Sequence, residues 1–154
     1  MRYLFILFGT IILLITSTAA FADSRLDNCL PYKEEISSIL ESEGVSSDYF
    51  YLAVCESGCK IKTSSKGARG FWQVMPYTFS KFRDNTCTDI DDIKCNTIAA
   101  ARYIKHLQKR FKEISILVKA YNRGGTNFLK KGSTREADGL SYCVMKFLAH
   151  KKSK

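Results

Sequence analysis

The chain has 154 residues, 24 of them Lys or Arg and 15 Asp or Glu, for a formal charge of +9, and it carries six cysteines. That length holds one ordinary domain with a modest core, and no linker, repeat or low-complexity block divides it. The positive excess suits an acidic polymer or a membrane surface, and nucleic acid is set aside because no nucleic-acid motif stands in the sequence.

The first predicted element is a leader. Met1 and Arg2 give a positive start, the uncharged run "YLFILFGTIILLI" follows, and "TSTAAFA" ends in small residues at Ala20 and Ala22. This pattern is that of a signal peptide over 1–22 cut after Ala22, leaving residues 23–154 as one exported domain, periplasmic or extracellular. The apolar run is shorter than the ~20 residues of a spanning helix, so no stable membrane span is expected after cleavage. Removing Arg2 leaves +8 on the remainder.

Cys29, Cys55, Cys59, Cys87, Cys95 and Cys143 all follow the leader. An even count in an exported chain reads as disulfides. Cys87 and Cys95 bracket a polar loop that a bond would close, and a bond from Cys29 to the middle of the chain fits equally. Spacing alone does not choose among the pairings. No CxxC pair occurs, and His106 and His150 stand apart, so no metal site is expected.

The rest is predicted to be mainly α. Ile36, Ile39 and Leu40 fall at i, i+3 and i+4 in a helix over 32–44 that Gly44 stops. A second helix covers 46–57, with Ser46, Ser47 or Asp48 as its cap and Gly58 as its end. Residues 59–75 have no helical period and read as a loop with a small hairpin near 68–74. Pro76 opens a short helix over 76–83. In the polar loop 84–95, Asp89, Asp91 and Asp92 serve turns and caps, because the Gly and final Glu of a calcium loop are missing. Helices follow over 96–112, over 114–122 up to Gly124 and Gly125, and over 134–149, where Gly139 weakens the first half.

One residue stands out. Tyr49, Leu52, Ala53 and Glu56 share a helix face, so a carboxylate points where apolar side chains point. It also lies at the helix C-terminus, where the dipole disfavours negative charge. Burial and dipole both favour the protonated form, which is what a general acid requires. Taken alone, the position fits a helix-end Glu that reaches water equally well.

The surrounding motifs weigh on that choice. They are Glu56-Ser57, then "GARGFWQVMPYT" from Gly67 to Thr78, then Asn96 with Ala99, Ala100, Arg102 and Tyr103, then "AYNRG" from Ala120 to Gly124, then Tyr142-Cys143-Val144. In this order, over roughly residues 45–148, they resemble the soluble lytic transglycosylase family of the lysozyme superfamily. The resemblance implies a mainly α, lysozyme-like (α+β) domain with a small β-hairpin beside an active-site cleft. It implies cleavage of the β-1,4 bond between N-acetylmuramic acid and N-acetylglucosamine in peptidoglycan glycan strands, leaving 1,6-anhydromuramoyl ends, with no cofactor.

Glu56 matches the family's single acid/base. Because the substrate's own C6 hydroxyl attacks, the second carboxylate of ordinary glycosidases is not required. Gln73 and Met75 match positions that line the sugar cleft. Tyr121 matches a tyrosine beside the acid, Asn122 a shaper of the turn or cleft wall, Ser57 a hydroxyl that orients Glu56 or a substrate group, and Tyr142 a late cleft tyrosine. By analogy, compact members open the wall locally for a secretion, conjugation or pilus apparatus.

The chain departs from the pattern in three places. Phe71-Trp72 stand where Leu-Met is usual, either as a stacking platform or as core. Arg123 replaces a small residue, and the segment around Tyr142 is longer than in compact relatives. Two rival readings remain. One is a goose-type-like muramidase that uses water, with Asp84 or the acids of 89–92 as the second carboxylate. The other is a wall-binding module without catalysis.

Overall fold

A computed structural model of the chain describes residues 23–153. The expected leader and its cleavage point lie outside them. The elements are α1 (Ser24–Cys29), a 3-10 turn (Leu30–Tyr32), α2 (Lys33–Ser42), a second 3-10 turn (Ser47–Tyr49), α3 (Phe50–Ser57), α4 (Pro76–Phe82), α5 (Ile93–Gln108), α6 (Ile114–Arg123), α7 (Gly125–Lys131) and α8 (Arg135–Lys152). The fold is mainly α, as expected.

Local chemistry places most boundaries. Gly58 adopts a left-handed conformation at φ 62° and closes α3, its N–H donating to the Val54 carbonyl. The Thr134 side chain caps α8 by accepting from Ala137 N. The Asp92 carboxylate accepts from Cys95 N at 2.8 Å, so α5 begins at Ile93, earlier than periodicity placed it. Two helices were not expected. Asp23 caps α1. Gly124, at φ 81° and ψ 124°, ends α6 but redirects the chain straight into α7. The ring of Phe128 on α7 then packs edge-on against Phe111, with centroids 5.6 Å apart.

α3 lies at the centre, with Phe50, Leu52, Ala53 and Val54 buried, and it packs against α8, α1 and α2. α6 lies along α8, while α2 and α4 lie along α5. Three disulfides pin this arrangement: Cys29–Cys59, Cys55–Cys143 and Cys87–Cys95. The first two hold the end of α3 on either side of Glu56, one to α1 and the other to α8.

The hairpin near 68–74 is reduced to single antiparallel bridges, Thr63 with Arg69 and Arg69 with Val74. Arg69 and Val74 exchange both backbone hydrogen bonds at 2.9 Å. Gly67, Gly70 and Gln73 all take positive φ, which turns the backbone before a ladder can extend. Phe71 and Trp72 are buried in the core and offer no exposed platform. Trp72 Nε1 donates to Thr97 Oγ1 at 3.0 Å, and Phe71 meets Tyr32 edge-on.

Asn96 ties this loop to α5. Its Oδ1 accepts from Trp72 N at 3.0 Å, and its Nδ2 donates to the carbonyls of Ile90 and Arg69. A Cβ on Gly70 would sit 2.6 Å from the Asn96 side chain, at a backbone φ of +76°. Gly70→Ala combines that clash with left-handed strain, so a loss of roughly 2–4 kcal/mol is expected, read as a lower urea midpoint at unchanged slope.

Candidate active site

Glu56, the penultimate residue of α3, opens onto a cleft of about 560 Å³. Its side is half-buried. Burial pushes its carboxyl up to about 8, while the charge of nearby Lys62 acts the other way. At neutral pH the group therefore holds its proton.

The long loop forms one wall, through Ser64, Lys66, Gln73 and Met75. Tyr77 and Thr78 at the start of α4 continue that wall. Tyr103 of α5 and Tyr121, Asn122 and Arg123 at the end of α6 form the back. Glu136, in the first turn of α8, also lines the cleft. The Glu136 carboxylate pairs with Lys66 at 2.6 Å, which lowers its pKa.

The Tyr121 hydroxyl donates to the Trp72 carbonyl at 2.9 Å, so it does not spend its proton on Glu56. Burial first, then the neighbouring Glu56 charge, raise its pKa well above the ordinary value, and it stays a neutral phenol. Tyr103 stacks beside it, tilted, with ring centroids 5.3 Å apart. Gln73 sits at φ 48°, with Nε2 donating to the carbonyls of Gly70 and Lys62. A non-glycine residue in that conformation is strained, and the two hydrogen bonds hold it. Met75 and Tyr77 are exposed at the lip, 43% and 76% accessible, and present apolar surface to whatever enters.

Of the residues singled out from sequence, Glu56, Gln73, Met75, Tyr121 and Asn122 come together here. Two do not. Ser57 is buried, and its hydroxyl donates to the Phe71 carbonyl at 2.7 Å, so it ties the helix end to the loop and faces neither Glu56 nor the cleft. Tyr142 is 73% exposed and lies off the cleft, because α8 turns Ser141, Val144 and Phe147 inward and leaves Tyr142 outside.

The acids considered as second carboxylates are engaged elsewhere. Asp84 is held by Thr86 and by Arg102, and its pKa is lowered to about 2. Asp91 pairs with Arg69, and Asp92 caps α5. Sequence reading missed Tyr77, Tyr103, Lys66 and Glu136 as cleft residues. The two tyrosines stood inside the motif blocks. Glu136 carried no local signal, since only the packing of α8 brings it there.

The molecule is thus a mainly α domain in which one glutamic acid, its pKa raised by burial, lines an aromatic-bordered groove. The sequence model of the transglycosylase SLT domain matches residues 37–141, more than half of the chain, and the chain belongs to that family. Among solved structures, an inactive mutant of lytic transglycosylase Slt from Pseudomonas aeruginosa is similar, with a TM-score of 0.62 at 19% identity. The match covers 82% of this chain and 24% of that one, so this chain spans about a quarter of that protein's length. No curated protein matches the chain.

Proposed function

We propose that this protein is an exported peptidoglycan lytic transglycosylase, a single catalytic domain following a cleaved leader. The observation that carries this reading is Glu56, the one cleft-lining carboxyl kept protonated by burial. As acid it gives its proton to the glycosidic oxygen as the bond from muramoyl C1 breaks. As base it then takes the proton of the C6 hydroxyl as O6 bonds to C1. The 1,6-anhydro ring closes, Glu56 regains its proton, and no water is consumed. A carboxyl that titrates near neutrality is suited to both steps.

Gln73, Met75 and Asn122 border the sugar path. Tyr121 braces the loop behind the acid, and Ser57 acts as a positioning residue through Phe71. Three disulfides suit an oxidising, extracytoplasmic compartment, and no helix of the described residues is long and apolar enough to cross a membrane. Service to an envelope-spanning secretion, conjugation or pilus apparatus follows by analogy with compact relatives.

A hydrolase reading draws on Glu136, which also lines the cleft, but Lys66 holds that carboxylate. Mass spectrometry of digested sacculi decides. Anhydromuramoyl ends are expected. Reducing ends would replace this reading by a muramidase, and absence of product by a binding module.

A further inference from the structure

Arg123 is the last residue of α6, and Gly124 turns the chain directly after it at φ 81°. The helix dipole favours a cation at a C-terminus, which accounts for a basic residue there. It does not account for how the side chain is held. Arg123 lines the cleft that holds Glu56, and its Nε is buried with no hydrogen-bond partner among the described residues. Among those residues one other buried side-chain polar atom lacks a partner, Asp91 Oδ1, and Asp91 does not line the cleft. Arg123 is thus the one cationic side chain described that keeps a buried donor unspent.

The protein supplies it no counter-charge either. Two carboxyls line this cleft, Glu56 and Glu136. Glu56 keeps its proton, because burial raises its pKa to about 8. Glu136 is ionised, but Lys66 holds it at 2.6 Å. Lys66 first, and the more distant charge of Arg123 last, lower the Glu136 pKa. A partly buried guanidinium with an unspent N–H favours a planar, anionic acceptor, since a carboxylate meets both the donor and the charge.

We propose that Arg123 binds the lactyl carboxylate of muramoyl residues whose peptide has been removed, and that it makes the protein prefer strands already stripped by hydrolysis of the lactyl–peptide amide. The inference rests on the transglycosylase reading. The sugar whose C1 and C6 react at Glu56 has to sit in this cleft. Past Tyr77 the cleft continues into a second groove of about 350 Å³, but Arg123 does not border that one. It belongs to the part where the reacting ring lies. N-acetylhexosamine rings are uncharged, and on the muramoyl ring the lactyl ether at C3 is the one substituent that can carry a charge. With the peptide attached, that group ends in a neutral amide. An amide hydrolysis adds water across the C–N bond, leaving a carboxylate on the sugar and a free amine on the departing peptide. The acidic groups of an attached peptide stand several bonds further from the ring.

Three polymers separate charge from size: peptide-bearing strands, strands stripped by an amidase, and stripped strands whose lactyl carboxylates have been converted to primary amides. Wild type is expected to cleave the carboxylate form with a kcat/KM about tenfold above that on either of the other two. Arg123→Gln should cleave the carboxylate and amide forms within about twofold of each other, with thermal melting as the check on its fold. The proposal is overturned if wild type cleaves the amide or the peptide form as well as the carboxylate form, or if Arg123→Gln keeps the wild-type preference. The first of these needs no variant, so it holds even where Arg123→Gln fails to fold. Both leave the transglycosylase reading intact. Absence of anhydromuramoyl product from wild type on all three polymers would overturn that reading instead. Binding titrations with the carboxylate and amide polymers then test the subsite by itself, and equal binding of the two by wild type overturns it.

Discussion

Glu56→Gln is expected to cut the release of anhydromuramoyl ends by about 1,000-fold, the usual scale for losing a general acid–base group, while strand binding is kept. The same substitution has a second readout that does not depend on substrate. Glu56 titrates near 8 in the fold and near 4.5 in a free chain. Below the lower value it is neutral in both states and costs nothing. Between the two, the unfolded chain ionises while the native protein keeps its proton, so stability falls as pH rises, and the fall levels off above about 8.

Gln carries no such proton. Wild type and Glu56→Gln should therefore unfold at similar denaturant concentrations at pH 4.5, and the variant should be more stable by up to about 5 kcal/mol at pH 9. For wild type, kcat/KM should hold below about pH 8 and decline tenfold per unit above it, as the acid form disappears. Full lytic activity in the variant, or equal pH dependence of stability in both proteins, would remove Glu56 from the role of buried acid.

Breaking the bond between Cys55 and Cys143 is expected to have the largest effect on stability. The two residues are 88 apart in sequence, against 30 for Cys29–Cys59 and 8 for Cys87–Cys95. Loop-closure entropy scales with the logarithm of that separation, so the paired Ala variant should lose about 4–5 kcal/mol, against about 2.5 for the 87–95 pair. Function separates the two further. Cys55 immediately precedes Glu56, and its bond ties the end of α3 to α8, the helix that supplies Glu136 to the cleft. Loss of the long-range bond should lower kcat at temperatures where the protein is still folded, whereas loss of the 87–95 bond should leave kcat near wild type. Circular dichroism melting and turnover on sacculi at 25 °C measure both. Equal kcat in the two variants would mean that the disulfide stabilises the fold without holding the acid in place.

Much of this was legible in the sequence because its causes are local. The periods of α2, α5 and α6, the glycine stop of α3 and the proline start of α4 are set by neighbours a few residues apart. Glu56 was visible for the same reason, as a carboxylate on an apolar helix face beside a helix end. The motif blocks drew Gln73, Met75, Tyr121 and Asn122 to it. Where reading failed, a local rule met a tertiary one. The glycines after α6 looked like a stop, yet Gly124 only redirects the chain, because Phe128 finds Phe111 and makes α7 worth forming. Tyr142 sat in a motif position, but the apolar face of α8 decides which way that helix turns. Ser57 was next to the acid in sequence and points to the Phe71 carbonyl in space.

By itself, then, the sequence determined a mainly α domain of the transglycosylase SLT family and the acid at its centre, since helix period, caps and motif order need no distant partner. Only the tertiary structure decided which cysteines pair, that Glu136 and Lys66 meet at the cleft, and that a second groove continues from it past Tyr77. Each of those joins residues far apart in the chain, and their proximity is created by packing the helices against one core.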